Sequence, residues 1–317
     1  MKNLKVSLLI LSMAIGIMVT ANAQEKLPYA NENSVHPIPN YEQLYKQRIW
    51  TRVDLKQKQN KGFFHKSREF TKILIDAVRN DEIQTIYDAE PGLGELDSVI
   101  NKEEFEKRLL KTEEEEGPAE PEPLYDSEWP YLEGETMEYN GQNYISLKDD
   151  NLGIPPSPGD GLWQIYGGEQ AEAYMASEIT MIEVMEDVIF DKRRAREYRD
   201  IQSVKLIVSG DYTPDGSNYY VATFAFKDLE KFFREHPEKA IWFNQYNSAE
   251  NRNLADAFLL RLFHGELYKV DNPDDLTVMD IYGKNMETGE PSTKAGLIGA
   301  EYLRMQMLEK EHNLWSY

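Results

Sequence analysis

Glu183, Glu186 and Asp187 are the carboxylates whose spacing comes nearest to a chemistry. On a helix, positions three and four apart share a face, and two carboxyl groups held there can divide the acid and base roles of glycoside hydrolysis. The same spacing suits the solvated side of an ordinary amphipathic helix, which is charged without catalytic purpose. Other constellations are weaker. The histidines His36, His65, His236, His264 and His312 are scattered, with no H-x-x-x-H or H-E-x-x-H pair to seat a metal. There is no G-x-S-x-G elbow, and the chain has no cysteine to serve as nucleophile or thiolate ligand. Gly92-Leu93-Gly94 follows no strand pattern and lacks a P-loop lysine, so it reads as a turn. The run from Asp271 to Asp275, DNPDD, offers oxygens to calcium but lacks EF-hand spacing, and it too reads as a turn. No catalytic, cofactor-binding or metal-ligating residue is expected.

What remains is a surface. Between Lys46 and Lys72, nine basic residues stand against Asp54 and Glu69, a local net of +7 in a chain of formal net charge -21. Arg48, Trp50 and Arg52 alternate with apolar residues and share one face, which sets an aromatic between planar cations, residue types enriched in interface hot spots. Lys56, Lys58 and Lys61 extend the patch. These six are the candidate partner-binding residues. Trp50 can equally be an ordinary packed aromatic, and the cations can equally serve this chain's own acidic segment.

That segment is residues 88–138, where eighteen Asp or Glu face four Lys or Arg, including TEEEEGPAEPEP at 112–123. Its composition predicts an extended, self-repelling insert of low order, spanning 88–159. A basic face and an acidic one on the same protein suit heterologous contacts, which close into rings when the rotation permits.

Residues 1–23 carry Lys2 and Lys5, an apolar run from Val6 to Val19, and Ala21-Asn22-Ala23, the pattern of a cleaved signal peptide. Fourteen residues fall short of the roughly 20 needed to span a bilayer, so no direct membrane insertion is expected. Without a lipobox cysteine no acyl anchor is expected, and a bacterial periplasmic location fits best. Removing the leader leaves a charge of -23, which disfavours nucleic acid or anionic lipid as partners.

The elements that must position these residues predict an α+β fold of mixed helices and short antiparallel hairpins. After a tail at 24–33, a first lobe at 34–87 contains a strand over 49–55 and a helix capped by Ser67, with Phe70, Ile73, Leu74, Ala77 and Val78 on one stripe. A second lobe at 160–283 begins with a helix marked by Met175, Ile179, Ile182, Met185 and Ile189. It continues with a hairpin of 203–209 and 219–226 around Pro214-Asp215-Gly216, a helix capped by Asp228, a strand at 240–243, and a core helix closing at Gly265. A tail at 284–317 follows the second lobe. Phe70–Ile86 and Leu254–Val270 share a weak pattern at an offset of 184, a repeat or a coincidence.

HPIPN at 36–40, RIWTRVDLKQKQN at 48–60, DIQSV at 200–204, NLADAFLLRLFHGELYKVDNP at 253–273 and DIYG at 280–283 resemble the GldN/PorN family of the gliding motility and type IX secretion machinery. The resemblance spans roughly Ser34 to Gly283 and leaves out the acidic insert and the C-terminal tail. It implies a periplasmic subunit without enzymatic activity, self-associated in a ring with an outer-membrane lipoprotein of GldK/PorK type. It also implies contact with the periplasmic part of a GldM/PorM-type motor protein. The alternatives are a periplasmic carbohydrate-active or carbohydrate-binding protein, using the carboxylates above or exposed aromatics such as Trp163 and Trp242, and a monomeric adaptor.

Overall fold

The alternation from Ile49 to Leu55 produces the expected strand, β1 (Gln43–Asp54), and its neighbours explain the alternation. The computed structural model describes residues 30–89, 96–111, 123–132, 134–140, 142–148, 151–156, 162–165, 173–285 and 288–314. The expected leader at 1–23 and most of the acidic run at 112–123 lie outside them.

A small hairpin of β2 (Phe64–His65) and β3 (Arg68–Glu69) turns at Ser67, whose φ is 68°. Ser67 is therefore a turn residue rather than the expected cap, and α1 (Phe70–Arg79) starts behind Glu69 with no side-chain cap. There follow β4 (Ile86–Tyr87), β5 (Val99–Ile100) and α2 (Lys102–Arg108), the last capped by Asn101 accepting from the Glu104 N–H. Strands β6 (Thr136–Tyr139), β7 (Gln142–Ser146) and β8 (Trp163–Ile165) form a separate three-stranded sheet over Tyr131, Met137, Tyr144 and Trp163. Much of the described part of 88–159 thus carries regular structure, and α2 sends Phe105 into the main core.

The chain then forms β9 (Met181–Asp191), β10 (Arg196–Val208), β11 (Tyr219–Ala225) and α3 (Phe226–Glu235). A second small hairpin, β12 (Ile241–Trp242) with β13 (Arg252–Asn253), leads into α4 (Leu254–Leu259), β14 (Glu266–Val270), α5 (Val278–Tyr282) and α6 (Thr293–Leu314). The expected helix through Met175 to Ile189 is β9 instead. Its residues are buried at both parities, so both faces of the strand are covered and no alternation marks it.

One antiparallel sheet of seven strands, in the order β14-β1-β9-β10-β11-β4-β5, organises the molecule. β1 pairs along its length with β9, so the stretches expected as separate lobes share a sheet. They also share a core, where Val53, Phe70 and Leu74 pack with Val204, Phe233 and Phe258. The fold class is α+β. A smaller cluster of Ile49, Val188, Leu267, Val278 and Ala300 seats α5 and α6, so the described part of the 284–317 tail is mostly one helix packed on the sheet.

The weak repeat is matched at the helix starts, but the helix ends and following strands fall at an offset of 180, so Asp81–Ile83 and Gly265–Leu267 are not equivalent. Both α1 and α4 begin at positions matched by the offset, Phe70 and Leu254, each directly behind a short hairpin. Each helix then ends with paired backbone bonds, Asp81 N–H to Val78 and Glu82 to Ala77 in one, Arg261 to Phe258 and Leu262 to Ala257 in the other. These are Schellman endings with a left-handed residue, Asp81 at φ 58° and Arg261 at φ 54°. Each helix leads to a strand that joins the sheet, β4 beside β11 and β14 beside β1.

Candidate functional site

The pleat of β1 places Arg48, Trp50 and Arg52 on one face, as their spacing predicts, and the register sets Asp187, Met185 and Glu183 of β9 directly opposite. Opposite charges facing across a ladder attract. Arg48 grips Asp187 with two bonds, Nε at 2.8 Å and Nη2 at 3.2 Å, while Lys46 reaches the same carboxylate at 2.8 Å. Burial alone would raise the Asp187 carboxyl, but Arg48 and Lys46 outweigh it and hold it below its ordinary range. Two residues along, Arg52 Nε lies 3.0 Å from Glu183, and Lys205 of β10 reaches that carboxylate at 3.3 Å.

Arg52 also donates to the Tyr220 hydroxyl at 2.9 Å and lies 3.4 Å from the centre of the Tyr268 ring. Burial works against its charge, while Glu183, Tyr268 and Tyr220 raise it above its ordinary value. Tyr268 is itself pushed up to about 12, first by burial.

Trp50 is only 6% exposed, with Lys269 Nζ 4.0 Å above its ring. The cations of β1 are therefore matched by carboxylates one strand away. The outer part of the patch differs. Lys56, Lys58 and Lys61 are exposed, and the first of them meets the Tyr212 hydroxyl and lies over its ring.

The turn that carries Lys58 and Lys61 is held by Asn60, a residue the sequence reading passes over. Its buried amide donates to the Asp54 carbonyl at 2.6 Å and the His264 carbonyl at 2.8 Å, and it accepts from the His264 N–H at 2.8 Å. One fully bonded amide thus fixes a lysine-bearing turn between the end of β1 and the approach to β14. The signal was legible only as an asparagine among lysines.

The three carboxylates do not share a helix face. Glu183 and Asp187 project to one side of β9 and Glu186 to the other, where it is fully buried and contacts Arg261. Their exposures are 4%, 0% and 0%, so they are not the solvated surface expected of them. Trp163 is packed, donating to the Ile154 carbonyl at 3.0 Å, and Trp242 lies against Phe63, so neither is an exposed platform. The DNPDD run is a turn closed by Asn272, which bonds Val270 and Leu276, while Asp275 pairs with Lys269. Among the described residues no group of three His, Asp or Glu side chains could hold a metal ion.

Structurally this is an α+β protein with an antiparallel sheet, in which the carboxylates nearest to a catalytic pattern are each paired with a cation. A family model described as gliding motility associated protein GldN matches residues 38–316, from just ahead of β1 to past the end of α6. The chain belongs to the GldN family of gliding motility associated proteins. A search of curated proteins finds no match.

Proposed function

We propose that this protein is a non-enzymatic structural subunit of the type IX secretion and gliding motility machinery, working in the periplasm. In this reading it assembles into a ring with an outer-membrane lipoprotein of GldK/PorK type. The ring then meets the periplasmic part of a GldM/PorM-type motor protein. The observation that carries the reading is the family match over 38–316, which takes in every strand of the main sheet and the helix packed on it.

The use of charge supports it. Glu183, Glu186 and Asp187 are each in contact with a cation, and Trp163 and Trp242 are packed. The carbohydrate-directed alternative thereby loses the carboxylates and the two tryptophans named for it. Lys56, Lys58 and Lys61 remain outward on a braced turn, and a lysine surface on a strongly acidic protein suits contact with a second acidic surface.

The test is to purify the protein from its own cell envelope under mild detergent. Co-elution in a large assembly with a lipoprotein is the expected result. Elution only as a free monomer would overturn the reading.

A further inference from the structure

A cavity of about 240 Å³ lies between the sheet and α6. Ile49, Thr51 and Leu267 form its floor, the segment following α4 forms one wall, and Met307 and Leu308 of α6 form the other. Three guanidiniums line it, Arg199 from β10, Arg261 from the Schellman turn and Arg304 from α6. Arg261 contacts Glu186, and Arg199 lies 3.4 Å from Glu197. Arg304 donates to the Gly265 carbonyl, and no carboxylate among the described residues pairs with it. Two of the three cations are thus paired, by Glu186 and by Glu197, which Glu311 of α6 also influences, while Arg304 has only a carbonyl partner among the described residues.

That imbalance is felt inside the cavity. Burial and the neighbouring charge of Arg304 together push Arg261 down to about 10, yet it still carries its proton at neutral pH. An anion placed between Arg261 and Arg304 would relieve the repulsion. Guanidinium forks bind planar oxyanions with paired bonds.

Size and lining narrow the ligand. The volume is below the roughly 300–1,000 Å³ usual for small-molecule sites and suits one carboxylate with the carbons that carry it. The floor is apolar, and Leu308 at the wall is 61% exposed, so a ligand with an aliphatic stem gains contacts that a free inorganic anion does not.

We propose that this cavity receives a single carboxylate from an acidic side chain of a partner protein, with an apolar neighbour resting on Leu308. The inference stands on the cavity alone and does not depend on the ring assembly.

The test titrates the purified, processed protein with N-acetyl-glutamyl-leucine amide, with its glutaminyl counterpart and with inorganic phosphate, following the arginine side-chain NMR signals. Saturable shifts at Arg261 and Arg304 are expected with the glutamyl probe. Affinity should fall about 10-fold or more with the glutaminyl probe and in Arg304→Gln, the loss of a charged hydrogen bond. Should Arg304→Gln fail to fold, Arg199→Gln gives the same comparison with a weaker loss. Absence of saturation, equal binding of both peptides, unchanged affinity in the variant, or binding of phosphate alone would each overturn the proposal. Loss of the ring with intact probe binding, or the reverse, separates the two readings.

Discussion

Arg52 Nε lies 3.0 Å from Glu183 Oε2 across the β1–β9 ladder, and Lys205 approaches the other oxygen of that carboxylate from β10 at 3.3 Å. One carboxylate thus ties three adjacent strands together at a site where the side chains are 19%, 4% and 9% exposed. Removing the negative charge leaves two cations with little access to water. Glu183→Gln should cost about 3 kcal/mol, the usual penalty for breaking a buried ion pair from one side. Urea unfolding checks this, with a lowered midpoint and unchanged slope as the expected pattern. Adding Lys205→Met to that variant should restore part of the loss, since one of the stranded charges goes with it.

Local signals were legible wherever one face of an element is wet. β1 and α1 follow their sequence patterns because one covered face imposes a period of 2 or 3.6, whereas the β10–β11 hairpin, buried on both faces, is marked by its loop residues Pro214-Asp215-Gly216. The failure at Met181–Asp191 has the opposite cause. There Ile182, Val184 and Val188 face one way and Met185 the other, all buried, so apolar residues fall at every spacing and a helical period can be picked out by accident. The carboxylates deepened the error, because a charged residue ordinarily marks a solvated face. Their cations stand on β1, β10 and the turn after α4, up to 141 positions away (Lys46 to Asp187), and no local window contains both. The same holds for Asn60, whose bonds to His264 span 204 residues.

Gly265 illustrates a position whose requirement comes from packing. It was expected to close a helix, but α4 ends at Leu259 and Arg261 takes the left-handed position. Gly265 instead runs beside β1, where an added Cβ would stand 2.5 Å from the Arg52 carbonyl oxygen and 2.7 Å from Thr51 Cγ2. Backbone atoms of a central ladder cannot yield, so Gly265→Ala should destabilise by about 3 kcal/mol. Thermal and urea unfolding check it, and a near-neutral result would show that β14 can shift away from β1.

Asp187 and Asp200 face each other across β9 and β10 and should act oppositely with pH. Asp187 is held low in the folded state, so its stabilising contribution is complete above the ordinary carboxylate value, about 3.9, and disappears as pH falls through its folded value. Asp200 is raised, chiefly by burial and also by Asp187, although Gln202 donates to it at 2.7 Å. Its charged form therefore costs stability at neutral pH, a cost relieved as pH falls through the raised value. Unfolding free energies measured from pH 3 to 7 should show Asp187→Asn lowering the neutral plateau and flattening the acid limb. Asp200→Asn should leave the plateau unchanged or raise it. Identical profiles for the two variants would contradict the assignment.

The lysine turn permits a separation of folding from assembly that the arginines of β1 do not. Reversing Arg48 and Arg52 to Glu would set new carboxylates opposite Asp187 and Glu183, so loss of assembly in that variant would report only a damaged sheet. Lys56, Lys58 and Lys61 are exposed and make no ion pair among the described residues. Converting all three to Glu should change unfolding free energy by no more than about 0.5 kcal/mol per site, as surface substitutions generally do. If the turn meets an acidic partner surface, the same variant should lose its place in the envelope assembly, and raising salt should weaken the wild-type complex in parallel. Size-exclusion of envelope extracts at low and high salt, beside a urea midpoint for each protein, reads both effects. A triple variant that folds normally and still assembles fully at low salt would remove these lysines from the interface and leave the charge on this face with a purely internal use.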